Sequence, residues 1–153
     1  MTVGFNHLGQ LGQLGNQMFQ YAITKSVASK LNVPFKIPNH QNVFDDGIGN
    51  RYTILLFDIF KLESLTNFGF VDTQKYVQEG HFHYDEDIFN ISPQEDFSLW
   101  GFFQSEKYFK DIEDEIRDDF KFKDELVSSC QSIIENVDNP IALHIRRGDF
   151  ITN

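Results

Sequence analysis

One cysteine, Cys130, stands in the 153 residues, so the chain cannot form an internal disulfide, which fits a reducing compartment. Long apolar runs are missing too. The most apolar stretch, 53–60, is broken by Asp58 and is far too short to cross a bilayer. No basic segment precedes an apolar one near Met1, which predicts a chain with no signal peptide and no transmembrane segment. Positive charge is scarce: 13 Lys and Arg face 23 Asp and Glu, giving a net charge of -10, and no basic stripe interrupts the acid. That balance excludes nucleic acid and anionic membrane as general partners, while leaving room for a small anion held locally. What the chain has in plenty is apolar surface. Hydrophobic residues make up 41%, with 17 phenylalanines among them, enough to bury one real core and to exclude disorder.

The order of elements predicts an α/β fold with a mainly parallel, Rossmann-like sheet. Residues 2–5 form a first strand that runs into a glycine-rich loop, where Leu-Gly-Gln occurs twice in tandem (8–10 and 11–13) and Leu14-Gly15-Asn16 nearly makes a third copy. A helix follows, its stripe set by Phe19, Ile23, Val27 and Leu31 at four-residue spacing. Strand, glycine-rich turn and helix together present backbone N–H groups and a positive helix end to an anion or polar ligand. The glycines lie three apart and no P-loop lysine follows, so neither the dinucleotide fingerprint nor a P-loop is present, and a purely structural turn stands as the alternative.

Residues 34–38 form a second strand and 39–50 a loop, while 52–65 is ambiguous between helix and buried strand. In 66–97 the aromatic residues hint at extended segments, and Asp85, Glu86 and Asp87 read as a solvated turn in preference to a cation site. From Ser98 the pattern sharpens into a strand over 98–103. A helix capped by Ser105 follows, with Phe109, Ile112, Ile116 and Phe120 inside and an acidic outer face. A last helix from Asp124 to about Val137 buries Leu126, Cys130, Ile133, Ile134 and Val137.

The segment expected to carry chemistry comes at 141–150. Ile141-Ala142-Leu143-His144-Ile145, entered through Asn139-Pro140, has the composition of a strand buried on both faces, and Arg146-Arg147-Gly148-Asp149 follows at its end. Four arginines occur in the chain, at 51, 117, 146 and 147, so this dipeptide holds half of them. Ligands of open α/β sheets bind at the carboxyl ends of strands, and a guanidinium fork matches phosphate or carboxylate in bidentate fashion, so the dipeptide is a candidate anion clamp. A solvated strand exit is the plain alternative, and an adhesion role for Arg147-Gly148-Asp149 is the remote one. His144 reads as a hydrogen-bonded core residue before it reads as a ligand.

Three stretches taken together, 12–22 (Gly-Gln-Leu-Gly-Asn-Gln-Met-Phe-Gln-Tyr-Ala), 101–109 (Gly-Phe-Phe-Gln-Ser-Glu-Lys-Tyr-Phe) and 144–150 (His-Ile-Arg-Arg-Gly-Asp-Phe), resemble in the same order the motifs of glycosyltransferase family 11, the α-1,2-fucosyltransferases. The resemblance implies inverting, metal-independent transfer of L-fucose from GDP-fucose to the 2-hydroxyl of a galactose-type acceptor glycan, on a two-domain GT-B-like fold. It implies no cofactor. It places Arg146 and Arg147 on the donor pyrophosphate, with His144 in the same motif, and gives Asp149 the task of orienting them in preference to acting as base. Gly12, Gly15, Asn16 and Gln17 match the N-terminal motif, which in related enzymes faces the cleft between domains. No general base is identified.

On this reading 1–138 is an acceptor-side domain, and 139–153 opens the donor-binding half or the hinge into it, truncated here. The fragment by itself is then expected to be inactive, to hold GDP-fucose weakly and to self-associate. A bacterial or viral type is implied, cytoplasmic and at most peripheral to the inner membrane. The second tandem Leu-Gly-Gln makes the first loop three residues longer than the family's usual spacing. A non-catalytic sugar- or nucleotide-binding module that retains the motifs is the competing reading, and a purely structural domain the third.

Overall fold

The computed structural model describes residues 1–45, 51–62, 65, 68–91 and 94–145. They fall into two compact units, Met1–Phe122 and Lys123–Asn153. The first is α/β, as its alternating pattern predicts. Its sheet runs in the order β2-β1-β6-β5, with β1 (Val3–Gly4), β2 (Phe35–Lys36), β5 (Tyr76–Gln78) and β6 (Phe97–Trp100) all parallel. Val3 lies opposite both Phe35 and Phe97, so the first strand of the chain is an inner strand of the sheet. A strand paired on both edges must be apolar, and Val3, Phe5, Phe97 and Leu99 are fully buried.

Helix α1 (Leu14–Leu31) carries the chain from β1 to β2. It stops where Asn32 takes a left-handed conformation (φ 52°) and its N–H, with that of Val33, meets the carbonyls of Ser29 and Ala28; Pro34 then bars any further turn. The apolar stripe accounts for only part of what α1 buries. Gln17, Gln20, Thr24 and Ser26 are also buried, because other segments cover the helix on several sides; Gln17, Gln20 and Ser26 find partners on those segments, and Thr24 donates to the carbonyl of Gln20 one turn earlier. Ser26 Oγ donates to the carbonyl of Tyr108 at 2.7 Å, and Tyr21 Oη donates to Asp119 at 2.8 Å, where Lys25 Nζ also bonds at 2.6 Å. These bonds join α1 to a 3-10 segment (Glu106–Ile112) and to α3 (Glu113–Asp119). Ser105 caps that segment as its sequence predicts, and Ile112 and Ile116 are buried; the expected single helix is instead two, kinked at Phe109.

Elsewhere the expectations need amendment. The loop expected over 39–50 contains β3 (Val43–Asp45), which pairs antiparallel with β4 (Arg51–Thr53). The ambiguous 52–65 resolves into β4 and the single turn α2 (Leu56–Ile59). The acids 85–87, by contrast, make the solvated turn expected of them, a capped 3-10 turn in which Asp85 accepts from the N–H of Asp87 at 3.0 Å.

The second unit holds α4 (Asp124–Ile134). It ends three residues before the predicted stop and buries no residue: Cys130 is exposed, Ile133 and Ile134 are 69% and 53% exposed, and Val137 is 49% exposed. The strand predicted at 141–145 is absent as well. Those residues take no regular structure, with Ile141 93% and Leu143 82% exposed. An apolar pentapeptide becomes a buried strand only when neighbouring strands complete its ladder, and no described residue pairs with it.

Candidate functional site

The carboxyl ends of the parallel strands β1 and β6 lie side by side, and two of the three motifs meet just beyond them. The tandem repeat explains the first loop. Gly9 and Gly12 have φ of 93° and 90°, so each Leu-Gly-Gln copy places its glycine in the left-handed region, while the third copy opens α1. Leu8 is fully buried, which anchors the additional turn.

Gly12 has a second reason to be glycine. A Cβ there would sit 1.9 Å from Asn16 Nδ2, in the space that the Asn16 amide fills. From that position Asn16 Oδ1 accepts from Gln104 Nε2 at 2.5 Å, tying the first motif to the second. Gln20 makes a deeper tie: its fully buried Nε2 donates to the carbonyls of Leu11 at 2.9 Å and Gly101 at 3.2 Å. Its Oε1 is buried with no hydrogen-bond partner. Glu79, at the end of β5, accepts from the N–H groups of Phe102 at 2.8 Å and Phe103 at 3.0 Å. These two bonds hold Phe103 at φ 52°, a conformation costly for a bulky residue, while its ring packs edge-on against Phe5 and Tyr108.

The predicted site residues therefore divide. Gly12, Gly15 and Asn16 stand at the edge where the 101–104 loop arrives. Gly15 is in the first turn of α1, exposed, with nothing within 4 Å of the place its Cβ would take. The N-cap Gln13 gives no side-chain bond and the first turn carries no acid, so that helix end keeps its positive character. Gln17 is turned to the fold: Nε2 donates to Thr53 O at 3.0 Å and Oε1 accepts from Leu55 N at 2.8 Å. His144 is exposed among the irregular residues 141–145. Arg146, Arg147 and Asp149 lie outside the described residues.

A cavity of about 490 Å³ opens beside the first turns of α1, its walls mostly Gly15, Met18, Phe19, Phe109, Ile116 and Phe120. On its rim Glu113 bonds Lys110 and, at 2.7 and 3.1 Å, Arg117, and these cations hold the Glu113 carboxyl down to about 2. Spacing pointed to none of Gln20, Glu79 or Gln104 as ties between the loops, since each works through a contact distant in sequence. Among the described residues no cluster of His, Cys, Asp and Glu could hold a metal ion, and no helix is long and apolar enough to cross a membrane.

A parallel α/β unit with a glycine-turned loop and an open helix end at its strand termini can present backbone N–H groups to an anionic or polar ligand. The chain belongs to glycosyl transferase family 11, whose sequence model matches residues 3–153. An alpha-1,2-colitosyltransferase of Escherichia coli is 26% identical over 160 aligned residues, covering 93% of this chain and 54% of that protein. The O-antigen biosynthesis glycosyltransferase WbnK, also of Escherichia coli, is 27% identical over 185, covering 93% and 58%. The chain thus spans about half the length of the curated relatives it matches. No solved structure matches it at comparable significance.

Proposed function

We propose that the chain is the acceptor-side part of an inverting, metal-independent glycosyltransferase. It moves L-fucose from GDP-fucose to the 2-hydroxyl of a galactose-type glycan, on a GT-B-like frame whose donor half begins near residue 139. The observation that carries this reading is the meeting of the 12–22 and 101–109 motifs at one edge of a parallel sheet, in a chain of this family. In the reaction, negative charge grows on the leaving nucleotide diphosphate as the glycosidic bond breaks. Arg146, with Arg147 beside it, stabilises that charge, Asp149 orients the pair, His144 stands in the same donor-binding motif, and the first turn of α1 faces the donor through Gly15 and Asn16. No transmembrane helix is needed, and the enzyme works on the cytoplasmic side.

A second reading differs in the donor alone. The alpha-1,2-colitosyltransferase relative favours transfer of colitose with the same 1,2 linkage.

The test is a transfer assay on the protein that carries this segment together with its donor half, with GDP-fucose or GDP-colitose and a β-galactoside. Product linkage is read by mass spectrometry and NMR. A charge-assisted hydrogen bond contributes roughly 1.5–3 kcal/mol, so the two that a bidentate fork makes predict a loss of about a hundredfold or more for Arg146→Ala. Arg146→Lys does not rescue it, because the fork is gone. Activity survives EDTA. Near-full activity of the lysine variant, or an EDTA loss reversed by Mn²⁺, refutes the clamp or the metal-independent chemistry respectively.

A further inference from the structure

On the sheet edge of the first unit three rings gather that neither the core nor the motifs require. Tyr76 on β5 lies opposite Ser98, and Trp100 opposite Gln78, so Tyr76 and Trp100 are diagonal neighbours on one face of the sheet. Their ring centroids are 6.3 Å apart at 90°. His7, from the loop after β1, completes the group at 4.2 Å and 75° from Trp100 and 5.6 Å from Tyr76. In a perpendicular pair the ring that presents its edge keeps both of its own faces free of its partner. Tyr76 is 43% exposed, and His7 and Trp100 are half-buried, so the group is open to solvent.

The cluster contains no carboxylate, lysine or arginine, which points to a neutral ligand. His7 adds a polar edge. Its Nδ1 lies 3.1 Å from Gln10 Oε1, and in the tautomer that donates to this oxygen Nε2 is left to accept from a hydroxyl. The rings are also joined to the candidate site: Trp100 precedes Gly101, whose carbonyl Gln20 holds together with that of Leu11.

We infer that His7, Tyr76 and Trp100 form the platform on which the acceptor's galactose-type ring stacks, an inference that rests on the acceptor reading above. A galactopyranose carries its axial 4-hydroxyl on one face and presents the C–H groups of C3, C4 and C5 together on the other. That contiguous apolar face fits an aromatic wall, whereas the 4-epimer, glucose, has C–H groups divided between both faces.

Trp100 is the single tryptophan of the chain, so it reports on its own site without labelling. The 153-residue chain is titrated with methyl β-D-galactoside, methyl β-D-glucoside and GDP while Trp100 emission is followed, and saturation-transfer NMR reads the sugar protons. The expected result is a saturable response to the galactoside in the millimolar range. The glucoside binds several-fold more weakly, transfer to the sugar protons is strongest at H3, H4 and H5, and Tyr76→Leu, which keeps bulk but not the ring, weakens binding about fivefold. Circular dichroism checks that this variant folds. The platform is refuted by the absence of any galactoside signal in both measurements, by an equal response in Tyr76→Leu, or by a response to GDP alone. Binding of the galactoside here, with no sugar transferred by the protein that carries this segment together with its donor half, would sink the enzyme reading and leave the platform standing. Transfer with an acceptor KM unchanged in Tyr76→Leu would do the reverse.

Discussion

Two glycines of the first motif, three residues apart, have opposite reasons for being glycine. Gly12 holds a left-handed backbone with the Asn16 amide where its side chain would be. Gly12→Ala is therefore expected to cost about 1–3 kcal/mol and to break the Asn16–Gln104 bond. Gly15 is helical, and a methyl group there meets nothing. Gly15→Ala is expected to stabilise the fold by about 0.5–1 kcal/mol while placing a methyl over the open first turn of α1, which lowers donor binding. Thermal denaturation of both variants checks the two signs, and equal effects would refute the distinction. Tyr21 makes a third case. Burial first, and then the charge of Asp119, raise its phenol well above the ordinary value of about 10. A folded-state value above the unfolded one means that the contribution to stability is complete below about pH 10 and is lost as pH rises further. Denaturation midpoints followed from pH 8 to 11.5 should fall steeply, and less steeply in Tyr21→Phe; Tyr108, also raised by burial, contributes in the same sense.

At the level of elements, α1 is the member whose role reaches furthest beyond its sequence pattern. The stripe at 19, 23, 27 and 31 predicts the helix, and its middle members Ile23 and Val27 are buried, while Phe19 and Leu31 are half-buried. It does not foresee that Gln17 would brace 53–55, or that Gln20 would tie the first loop to Gly101, because Thr53, Leu55 and Gly101 lie 36 to 81 residues away in sequence. The parallel sheet, α1 and the Ser105 cap were legible because they are local signals repeated over several residues. The hairpin of β3 and β4 was not, since three-residue strands beside Asp45-Asp46-Gly47 look like loop. For the 141–145 run composition alone cannot supply the partner strands on which its state depends. At the candidate site the motifs marked which loops matter but not the geometry joining them, and the aromatic group of His7, Tyr76 and Trp100 exists only through strand register. On α3, Glu113 accepts from Lys110 and Arg117 together, so an NMR titration should find its midpoint near 2. The stabilisation from this pairing is then present above the ordinary carboxylate value of about 4.3 and fades as pH falls toward 2. A midpoint above 4 would show that the two cations do not hold the carboxylate in solution.

For the molecule as a whole, apolar exposure collects in its last described residues. Ile133, Ile141, Leu143 and Ile145 are 69%, 93%, 82% and 70% exposed, more than a solvated surface ordinarily offers in so short a span. The chain is expected to self-associate in a concentration-dependent way, despite its net charge of -10. Sedimentation velocity should show Ile141→Ser with Leu143→Ser shifting it toward monomer, and an unchanged distribution would place the contact elsewhere.

The seat of β1 also sets an order of events during synthesis. Residues 3–4 leave the ribosome before either of their neighbours, yet they hydrogen-bond on one side to residues near 35 and on the other to residues near 97. At about 5–20 residues per second β1 waits roughly 5–20 s for its second neighbour, with Val3 and Phe5 uncovered meanwhile. Closing that contact spans more than ninety residues, and such long loops slow the search for the native arrangement. Nascent chains stalled before Phe97 should therefore remain protease-sensitive and bound by chaperones, and protection should arise in one step once Trp100 has emerged.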